Sequence, residues 1–158
     1  LAHYDIPMDG ARAVVVGRSN VVGRPLAALL QRRNATVTVC HSGTRDLPAY
    51  TRNADIVALA IGKPGFLTPD DISPGTTVLD FGINVVGDRI TGDAQFDSLL
   101  GVAGAITPVP GGTGPITALM LARNTIAAGI AGLHNDLDSI PPFAHWQQLD
   151  REARPVDD

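Results

Sequence analysis

The chain has 158 residues, of which 44% are hydrophobic and 18% charged, and its formal net charge is −4. This apolar content is enough for the core of one domain and excludes a disordered tail-like protein. The basic residues form no stripe, which argues against a nucleic-acid partner, and no apolar run is long enough to span a membrane. The first residues also lack the charged and apolar regions of a signal peptide.

The cysteine and histidine content argues against disulfides and metals. Cys40 is the single cysteine, which excludes a disulfide framework and a cysteine zinc cluster and favours a reducing cytoplasm. The four histidines lack metal-ligand spacing and are interpreted as surface or packing residues: His3, His41, His134 and His145. The sequence therefore predicts no metal site.

Short β-branched runs alternate with longer helical patterns along the chain. Strands are predicted at 13–16, 36–40, 56–61, 77–81 and 104–107, and helices at 25–33, 47–53 and 116–131. A small hairpin is predicted at 84–90, with its turn at Gly87 and Asp88. This alternation is typical of βαβ units, so we expect an α/β fold. It would be a Rossmann-like, doubly wound and mostly parallel sheet, covered on both faces.

The first predicted strand ends at Gly17 and leads through a turn into a helix, the position of a dinucleotide phosphate loop. Gly17 suits the tight turn, and the N-terminus of a helix offers free N–H groups to an anion. Ser19 stands where the G-x-G-x-x-G pattern has its second glycine, so a hydroxyl can donate where the backbone approaches less closely. The alternative is a strand-to-helix turn that binds no ligand.

The end of the second strand bears on which dinucleotide would bind. NAD-selective folds place an acid there for the ribose 2′-OH, but this chain has no acid before Asp46. It has instead the hydroxyls of Ser42 and Thr44 and the cations Arg45 and Arg18, which suit a 2′-phosphate. NADP is therefore favoured over NAD. Arg45 alone is equally well explained as a solvated loop charge, so Arg18, inside the loop, is the better candidate.

Five motifs occur in an order that resembles a known enzyme family. They are GRSNVVGRP at 17–25, ATVTVCHS at 35–42, IGKPGF at 61–66, DFGIN at 80–84 and TPVPGGTGPIT at 107–117. Together they resemble the cofactor domain of the bifunctional methylenetetrahydrofolate dehydrogenase / methenyltetrahydrofolate cyclohydrolase family. The likeness covers about residues 3–131.

The resemblance implies an activity in one-carbon folate metabolism. The family enzyme oxidises 5,10-methylenetetrahydrofolate with NADP and hydrolyses the methenyl product to 10-formyltetrahydrofolate. By this analogy the cofactor-binding residues are Gly17, Arg18, Ser19, Ser42 and Ile83, with Ile83 meeting the nicotinamide side through its backbone.

The same resemblance implies a folate-binding wall in the proline- and glycine-rich block. Its residues are Pro110, Gly111, Gly112, Thr113, Gly114, Pro115, Ile116 and Thr117. Thr113 replaces a usual Val and Ile116 a usual Met, which leaves the glycines and prolines intact. The block favours the folate enzyme over two alternatives. These are a non-catalytic dinucleotide-binding module and the NADP domain of another two-domain dehydrogenase, such as shikimate dehydrogenase.

The family's catalytic lysine lies in a Tyr-x-x-x-Lys motif of a separate N-terminal domain, and this sequence has no such motif. Lys63, its only lysine, lies in a Gly-Lys-Pro-Gly turn and is interpreted as structural or at the cofactor rim. We therefore expect no catalytic residue in this chain, an absent catalytic domain, and an isolated chain that binds NADP without turnover.

The domain organisation follows from the same likeness. Residues 1–132 would form the NADP-binding domain, with 1–10 as the end of a linking helix and its connection, and 133–158 a C-terminal extension that frays at its end. The resemblance also implies a homodimer through the cofactor domain, with 83–91 taking part, and a tetrahydrofolate substrate shared with the catalytic domain. The last helix would expose part of its apolar surface, which would favour self-association.

Overall fold

The computed structural model describes residues 1–134, with only the backbone described for 131–134. The chain divides into two compact units, Leu1–Gly114 and a second that begins at Pro115. The strands are β1 (Arg12–Val16), β2 (Thr36–Cys40), β3 (Ile56–Leu59), β4 (Thr77–Asp80), β5 (Asn84–Val86), β6 (Arg89–Thr91) and β7 (Ala105–Ile106). The helices are α1 (Gly23–Gln31), α2 (Leu47–Thr51), α3 (Phe96–Leu99) and α4 (Thr113–His134).

The first unit is built on a five-stranded sheet in the order β2-β1-β3-β4-β7, in which every pair is parallel. The register pairs Val16 with both Cys40 and Leu59, and Leu59 with Asp80. Four strands therefore reach their carboxyl ends at one level, and the loops that follow them begin side by side. This arrangement confirms the predicted Rossmann-like α/β fold.

Both faces of the central strands β1 and β3 are buried, which explains their uninterrupted apolar runs. Alternate residues of β1 and β3 point to opposite faces of the sheet, and each face has its own hydrophobic core. The first core contains Val14, Val16, Val57, Leu59, Val78 and Leu99. The second contains Ala13, Val15, Ala27, Leu30, Ile56 and Ala58, and α1 packs there through Ala27 and Leu30.

The hairpin is confirmed, with β5 and β6 antiparallel and Gly87 at φ +60° in the turn. Helix α3 and the end of β3 differ from the sequence prediction. Helix α3 was not predicted, because its four residues are too few to show a periodic pattern. Strand β3 ends at Leu59 rather than at residue 61, because the N–H of Ile61 donates to the Asp93 carboxylate instead of a neighbouring strand.

The predicted linking-helix end is a single 3₁₀ turn, Ala2–Tyr4, followed by Asp5 in the left-handed region at φ +52°. A second 3₁₀ turn, Pro69–Asp71, begins with a capping box. In this box the Thr68 N–H donates to the Asp71 carboxylate at 2.9 Å.

Helix α4 begins at Thr113, before the predicted start at residue 116, because Pro115 fits the first helical turn, where its missing N–H costs nothing. Several of its apolar side chains are exposed, as expected: Leu119, Met120, Ile126 and Ile130. None of the helices in residues 1–134 has the length and apolarity needed to cross a bilayer. The predicted extension lies outside the described residues apart from 133 and 134, so the boundary after residue 132 stays a prediction.

Candidate functional site

The order of the strands creates a crevice at the carboxyl edge of the sheet. Strand β1 has β2 on one side and β3 on the other, so the chain leaves β1 and β3 in opposite directions. Ligands of open α/β sheets bind at such switch points, outside the carboxyl ends of the strands. The loops that begin here are 17–22 after β1 and 60–66 after β3.

Two glycines allow these loops to approach each other closely. Gly17 has φ +125°, and a Cβ at this position would overlap the carbonyl oxygen of Ala60. A Cβ on Gly23, the first residue of α1, would overlap the carbonyl oxygen of Gly17. Backbone therefore packs directly on backbone where β1, β3 and α1 meet, and we call this tight glycine turn the cradle. Such a turn after the first strand is typical of dinucleotide-binding folds.

Ser19 organises the start of α1. Its Oγ accepts hydrogen bonds from the N–H groups of Val22 at 3.1 Å and Gly23 at 3.3 Å, and its carbonyl accepts from Arg24 at 3.0 Å. These bonds satisfy N–H groups that the helix itself leaves without a partner. The hydroxyl proton of Ser19 is still free to be donated, so the predicted contact with a cofactor is compatible with this geometry.

The loop after β2 is a tight turn built on His41. The His41 N–H donates to Thr44 Oγ1 at 2.9 Å, and the Thr44 N–H donates back to the His41 carbonyl at 2.8 Å. The Gly43 N–H donates to His41 Nδ1 at 3.0 Å. Ser42, at the top of this turn, is exposed.

The predicted 2′-phosphate residues lie on neighbouring loops. Arg18 and Ser42 each follow the last residue of a strand by two positions, and those last residues, Val16 and Cys40, are paired. Both side chains are exposed. The backbone thus brings together a permanent cation and a hydroxyl from separate parts of the sequence. Arg45 is also exposed, three residues further along the second loop.

Asp93, just after the hairpin, holds the turn that follows β3. One oxygen of its carboxylate accepts from the N–H groups of Ile61 at 2.8 Å and Gly62 at 3.0 Å. The other accepts from the Lys63 N–H at 2.8 Å and from Asn84 Nδ2 at 2.9 Å. The residue is 0% exposed. All four partners are donors, which suits the ionised carboxylate.

Asp80, the last residue of β4, is a second buried carboxylate. It accepts from the N–H groups of Gly82 at 2.8 Å, Asp93 at 3.1 Å and Ala94 at 2.8 Å. Burial raises the pKa of Asp80 above its ordinary value; the three N–H groups oppose this rise, and the negative charge of Asp93 adds to it. The two carboxylates thus connect the ends of β3 and β4 to the segment after the hairpin.

The backbone of Asp80 also anchors the predicted folate wall. Its N–H donates to Thr107 Oγ1 at 2.8 Å, and its carbonyl accepts from Thr113 Oγ1 at 3.3 Å. The Gly112 N–H donates to the Pro108 carbonyl at 2.9 Å, in a turn that includes a cis Val109–Pro110 bond. The block is therefore a defined turn fixed to the end of β4.

The predicted substrate residues are distributed between the two units. The first unit contains Pro110, Gly111, Gly112, Thr113 and Gly114, and the second contains Pro115, Ile116 and Thr117 in the first turns of α4. The predicted nicotinamide contact, Ile83, lies in the loop after β4 and is 70% exposed. Lys63 places its ammonium 5.9 Å from the centre of the Phe66 ring, a contact of the structural kind expected for it.

Sequence reasoning missed Asp80, Asp93 and Asn84 as parts of this site. Gly82 and Gly92 carry a related signal, because a Cβ on Gly82 would overlap the Asp93 carboxylate and one on Gly92 the Asp80 carboxylate. An acid with a glycine nearby, at the end of an apolar strand, could have indicated a buried carboxylate. In the part of the chain that the structure describes, no group of three or more His, Cys, Asp or Glu side chains could hold a metal ion.

Comparison with known proteins identifies the family. A family profile described as tetrahydrofolate dehydrogenase/cyclohydrolase, NAD(P)-binding domain, matches residues 1–131. The chain belongs to this family. The resemblance drawn from the five motifs is therefore confirmed, and the cradle at Gly17 lies in a domain of the dinucleotide-binding type.

Curated relatives in the tetrahydrofolate dehydrogenase/cyclohydrolase family are named bifunctional protein FolD. The protein from Roseiflexus sp. (strain RS-1) is 57% identical over 129 residues, which cover 81% of this chain and 45% of the relative. The protein from Nitrosomonas europaea is also 57% identical over 129 residues, with 81% and 44% covered. The chain thus spans a little under half the length of these relatives.

Solved structures of the family share the fold. The bifunctional FolD enzyme of Campylobacter jejuni superposes with a TM-score of 0.78 at 45% identity, over 80% of this chain and 45% of that one. The FolD of Trypanosoma brucei, solved in complex with NADP cofactor and an inhibitor, has a TM-score of 0.76 at 41% identity, over 80% and 46%. The agreement confirms the fold of the cofactor domain.

Proposed function

We propose that the chain is the NADP-binding part of a bifunctional enzyme of one-carbon folate metabolism. The enzyme would oxidise 5,10-methylenetetrahydrofolate to 5,10-methenyltetrahydrofolate and hydrolyse the product to 10-formyltetrahydrofolate. The observation that carries the proposal is the side-chain-free cradle at Gly17, at the switch point of a sheet from this family. The T. brucei relative, solved with NADP, supports the choice of dinucleotide.

Each cofactor-binding residue has a separate task in this proposal. Gly17 allows the tight turn that brings the start of α1 to the pyrophosphate, and Ser19 both fixes the start of α1 and donates its hydroxyl proton. Arg18 and Ser42 hold the 2′-phosphate, for which the planar guanidinium and a hydroxyl supply matched donors. The backbone of Ile83 meets the nicotinamide end.

When bound, the nicotinamide supplies the hydride acceptor, and the protein supplies binding, orientation and electrostatics. The turn of 108–112 would form a wall for the folate, held at the end of β4 by the Thr113 hydroxyl. The wall and the loop of Ile83 are both fixed to the end of β4, which would hold the folate and the nicotinamide in a constant relative position. Such positioning of two reactants increases the rate of their reaction.

The 158 residues contain no Tyr-x-x-x-Lys, the family motif that carries the catalytic lysine. We therefore propose that the water activation and proton transfer of the hydrolysis need residues outside this sequence, on a catalytic domain with which this chain shares the folate. By itself the 158-residue polypeptide would bind NADP and turn over neither substrate.

Isothermal titration calorimetry with NADP⁺ and NAD⁺ tests the cofactor assignment. We expect NADP⁺ to bind more tightly, because the charged hydrogen bonds to the 2′-phosphate have no counterpart in NAD⁺. The Arg18→Gln variant should lose at least about tenfold in affinity for NADP⁺ and little for NAD⁺. Arg123→Gln, an exposed arginine on α4, serves as the control. Equal affinity for the two dinucleotides in the wild type would contradict the proposal.

We further propose that the hairpin mediates a homodimer. Val85, Val86 and Ile90 are exposed, Val85 to 75%, on a two-stranded sheet of only β5 and β6. Such a ribbon has free hydrogen-bonding edges and is stabilised by pairing with another chain. Static light scattering would give a dimer mass for the wild type and a monomer mass for Val85→Lys. A monomeric wild type would exclude this interface.

We also propose that the protein is located in the cytoplasm. The lone cysteine, Cys40, is buried at the end of β2, where burial raises the pKa of its thiol. A thiol of this kind is inert and needs no disulfide partner, which fits a reducing cytoplasm.

A further inference from the structure

The Asp93 carboxylate joins the two loops that border the cofactor crevice beyond the phosphate cradle. Three of its donors are consecutive backbone N–H groups of the turn after β3, Ile61, Gly62 and Lys63, and the fourth is the Asn84 side chain. Asn84 opens the hairpin that follows β4. One side chain, separated from the turn by about thirty positions in sequence, therefore sets the distance between these loops.

The carboxylate is well matched to this task. An ionised Asp accepts at both oxygens, and here each oxygen receives two N–H groups at 2.8–3.0 Å. An Asn at position 93 would keep one accepting oxygen and turn an NH₂ group toward the other two donors. Two of the four hydrogen bonds would be lost, and the two N–H groups that made them would face the NH₂ group of the Asn side chain.

The residue that these bonds hold in place is Ile83. On one side of it the Gly82 N–H is bound to Asp80 at 2.8 Å, and on the other Asn84 is bound to Asp93 at 2.9 Å. The Ile83 side chain itself is 70% exposed at the carboxyl edge of the sheet. The two residues that flank Ile83 are thus each bound to a buried carboxylate, Gly82 through its N–H and Asn84 through its side-chain amide. The residue between them faces the solvent.

We propose that Asp93 is a positioning residue for the nicotinamide end of the cofactor, acting through Asn84 and the turn after β3. The proposal rests on the proposed function, in which the Ile83 backbone meets the nicotinamide. Asp93 touches neither reactant in this scheme; it holds the loops at the spacing that the ring requires. The phosphate end of the site, at Gly17 and Ser19, is organised by separate contacts and does not depend on Asp93.

The test compares two ligands that differ only in the ring. NADP⁺ and 2′-phospho-ADP-ribose share the adenosine phosphates, but the second lacks the nicotinamide. In calorimetric titrations we expect Asp93→Asn to weaken NADP⁺ by about tenfold and 2′-phospho-ADP-ribose by less than about twofold. A general loss of folding would weaken both ligands equally, so the ratio of the two affinities is the readout.

Two further variants make the test independent of whether Asp93→Asn folds. Asn84→Ala removes a single donor at the edge of the network and leaves the buried carboxylate with its three backbone donors. It should change the ratio of affinities in the same direction, by a smaller factor. Asp55→Asn, the same chemical change on an exposed carboxylate at the opposite edge of the sheet, should leave the ratio unchanged.

The outcomes separate the two proposals. A wild type that binds neither ligand would refute the proposed function. A wild type that binds both ligands with equal affinity, or variants at 93 and 84 that keep the wild-type ratio, would overturn the role of Asp93 and leave the assignment of NADP intact. A selective loss of NADP⁺ affinity in either variant supports it.

Discussion

The two edges of the sheet stabilise aspartate carboxylates in different ways. At the amino edge, Asp55 forms an ion pair with Arg12 at 2.9 Å, and both side chains are largely exposed. At the carboxyl edge, Asp80 and Asp93 are buried and take backbone N–H groups and one amide as hydrogen-bond donors. A carboxylate can thus be stabilised either by an opposite charge in water or by oriented dipoles in the interior.

The difference follows from what each edge does. An exposed ion pair ties two strands together at little desolvation cost, but it fixes few backbone atoms and contributes little free energy. A buried carboxylate is costly to desolvate, yet each bond it accepts fixes a peptide group in a loop. Buried carboxylates occur at the edge with the switch point. The arrangement with the larger desolvation cost is therefore found where the loop geometry matters most.

The largest effect should come from filling the space around Asp93. The Gly82→Ala substitution would place a Cβ on the Asp93 carboxylate and 2.6 Å from its backbone nitrogen. Because both groups are held by hydrogen bonds, we expect the free energy of unfolding to fall by about 2–3 kcal/mol in urea denaturation. Gly101→Ala, which points into open space, is the matched control, and an equal loss there would show that the carboxylate is not the cause.

A single substitution at the end of β4 tests the buried arrangement directly. Asp80→Asn keeps the shape of the side chain but replaces one of its oxygens by an NH₂ group. Depending on which oxygen is replaced, that group faces either the N–H groups of Gly82 and Asp93 or the N–H group of Ala94. We expect a loss of about 2 kcal/mol in the free energy of unfolding, less than for Gly82→Ala because no backbone must shift. A variant as stable as the wild type would show that the free-energy cost of burying the charge equals the stabilisation from its hydrogen bonds.

The start of α1 should show an intermediate effect. Ser19→Ala removes the acceptor for the N–H groups of Val22 and Gly23, and loss of such hydrogen bonds costs about 1 kcal/mol. Thermal unfolding by circular dichroism measures the change in stability, and Ser42→Ala, on the exposed turn, is the control. Identical melting temperatures for the two variants would mean that the Ser19 bonds do not stabilise the helix.

The smallest effect is expected at the amino edge, and it depends on pH. The hydrogen bonds from Arg12 hold the pKa of Asp55 at about 2 in the folded protein, below the ordinary 3.8. The stabilisation is therefore present above about pH 4 and is lost as the pH falls towards 2. Asp55→Asn should lower the melting temperature slightly at pH 7, and its difference from the wild type should vanish across that window. A difference that stays constant with pH would exclude the charge as its source.

Much of the first unit could be predicted from sequence because its signals are local. The β-branched run at 36–40 matches β2 residue for residue, and the glycine after β1 predicted the tight turn that the structure has. Helix α3 was out of reach because four residues carry no periodicity. The start of α4 was placed too late because Pro115 was taken as the last residue of the loop, although it fits the first helical turn.

The carboxylate network was invisible in the sequence for a different reason. Asp93 binds Ile61 across 32 positions, and three of its four partners are backbone groups, which every residue possesses. No residue type in the turn after β3 marks it as a partner of an acid. Side-chain chemistry can be found in a sequence at a fixed spacing, whereas backbone recognition across the fold becomes visible only once the chain is folded.

The hydrogen bonds of Ser19 have one more consequence. The turn that leads into α1 is closed by its own hydroxyl, so the phosphate loop has its shape before any anion arrives. A cofactor then has no segment to order on arrival, and the entropy of closing the loop was already spent when the protein folded.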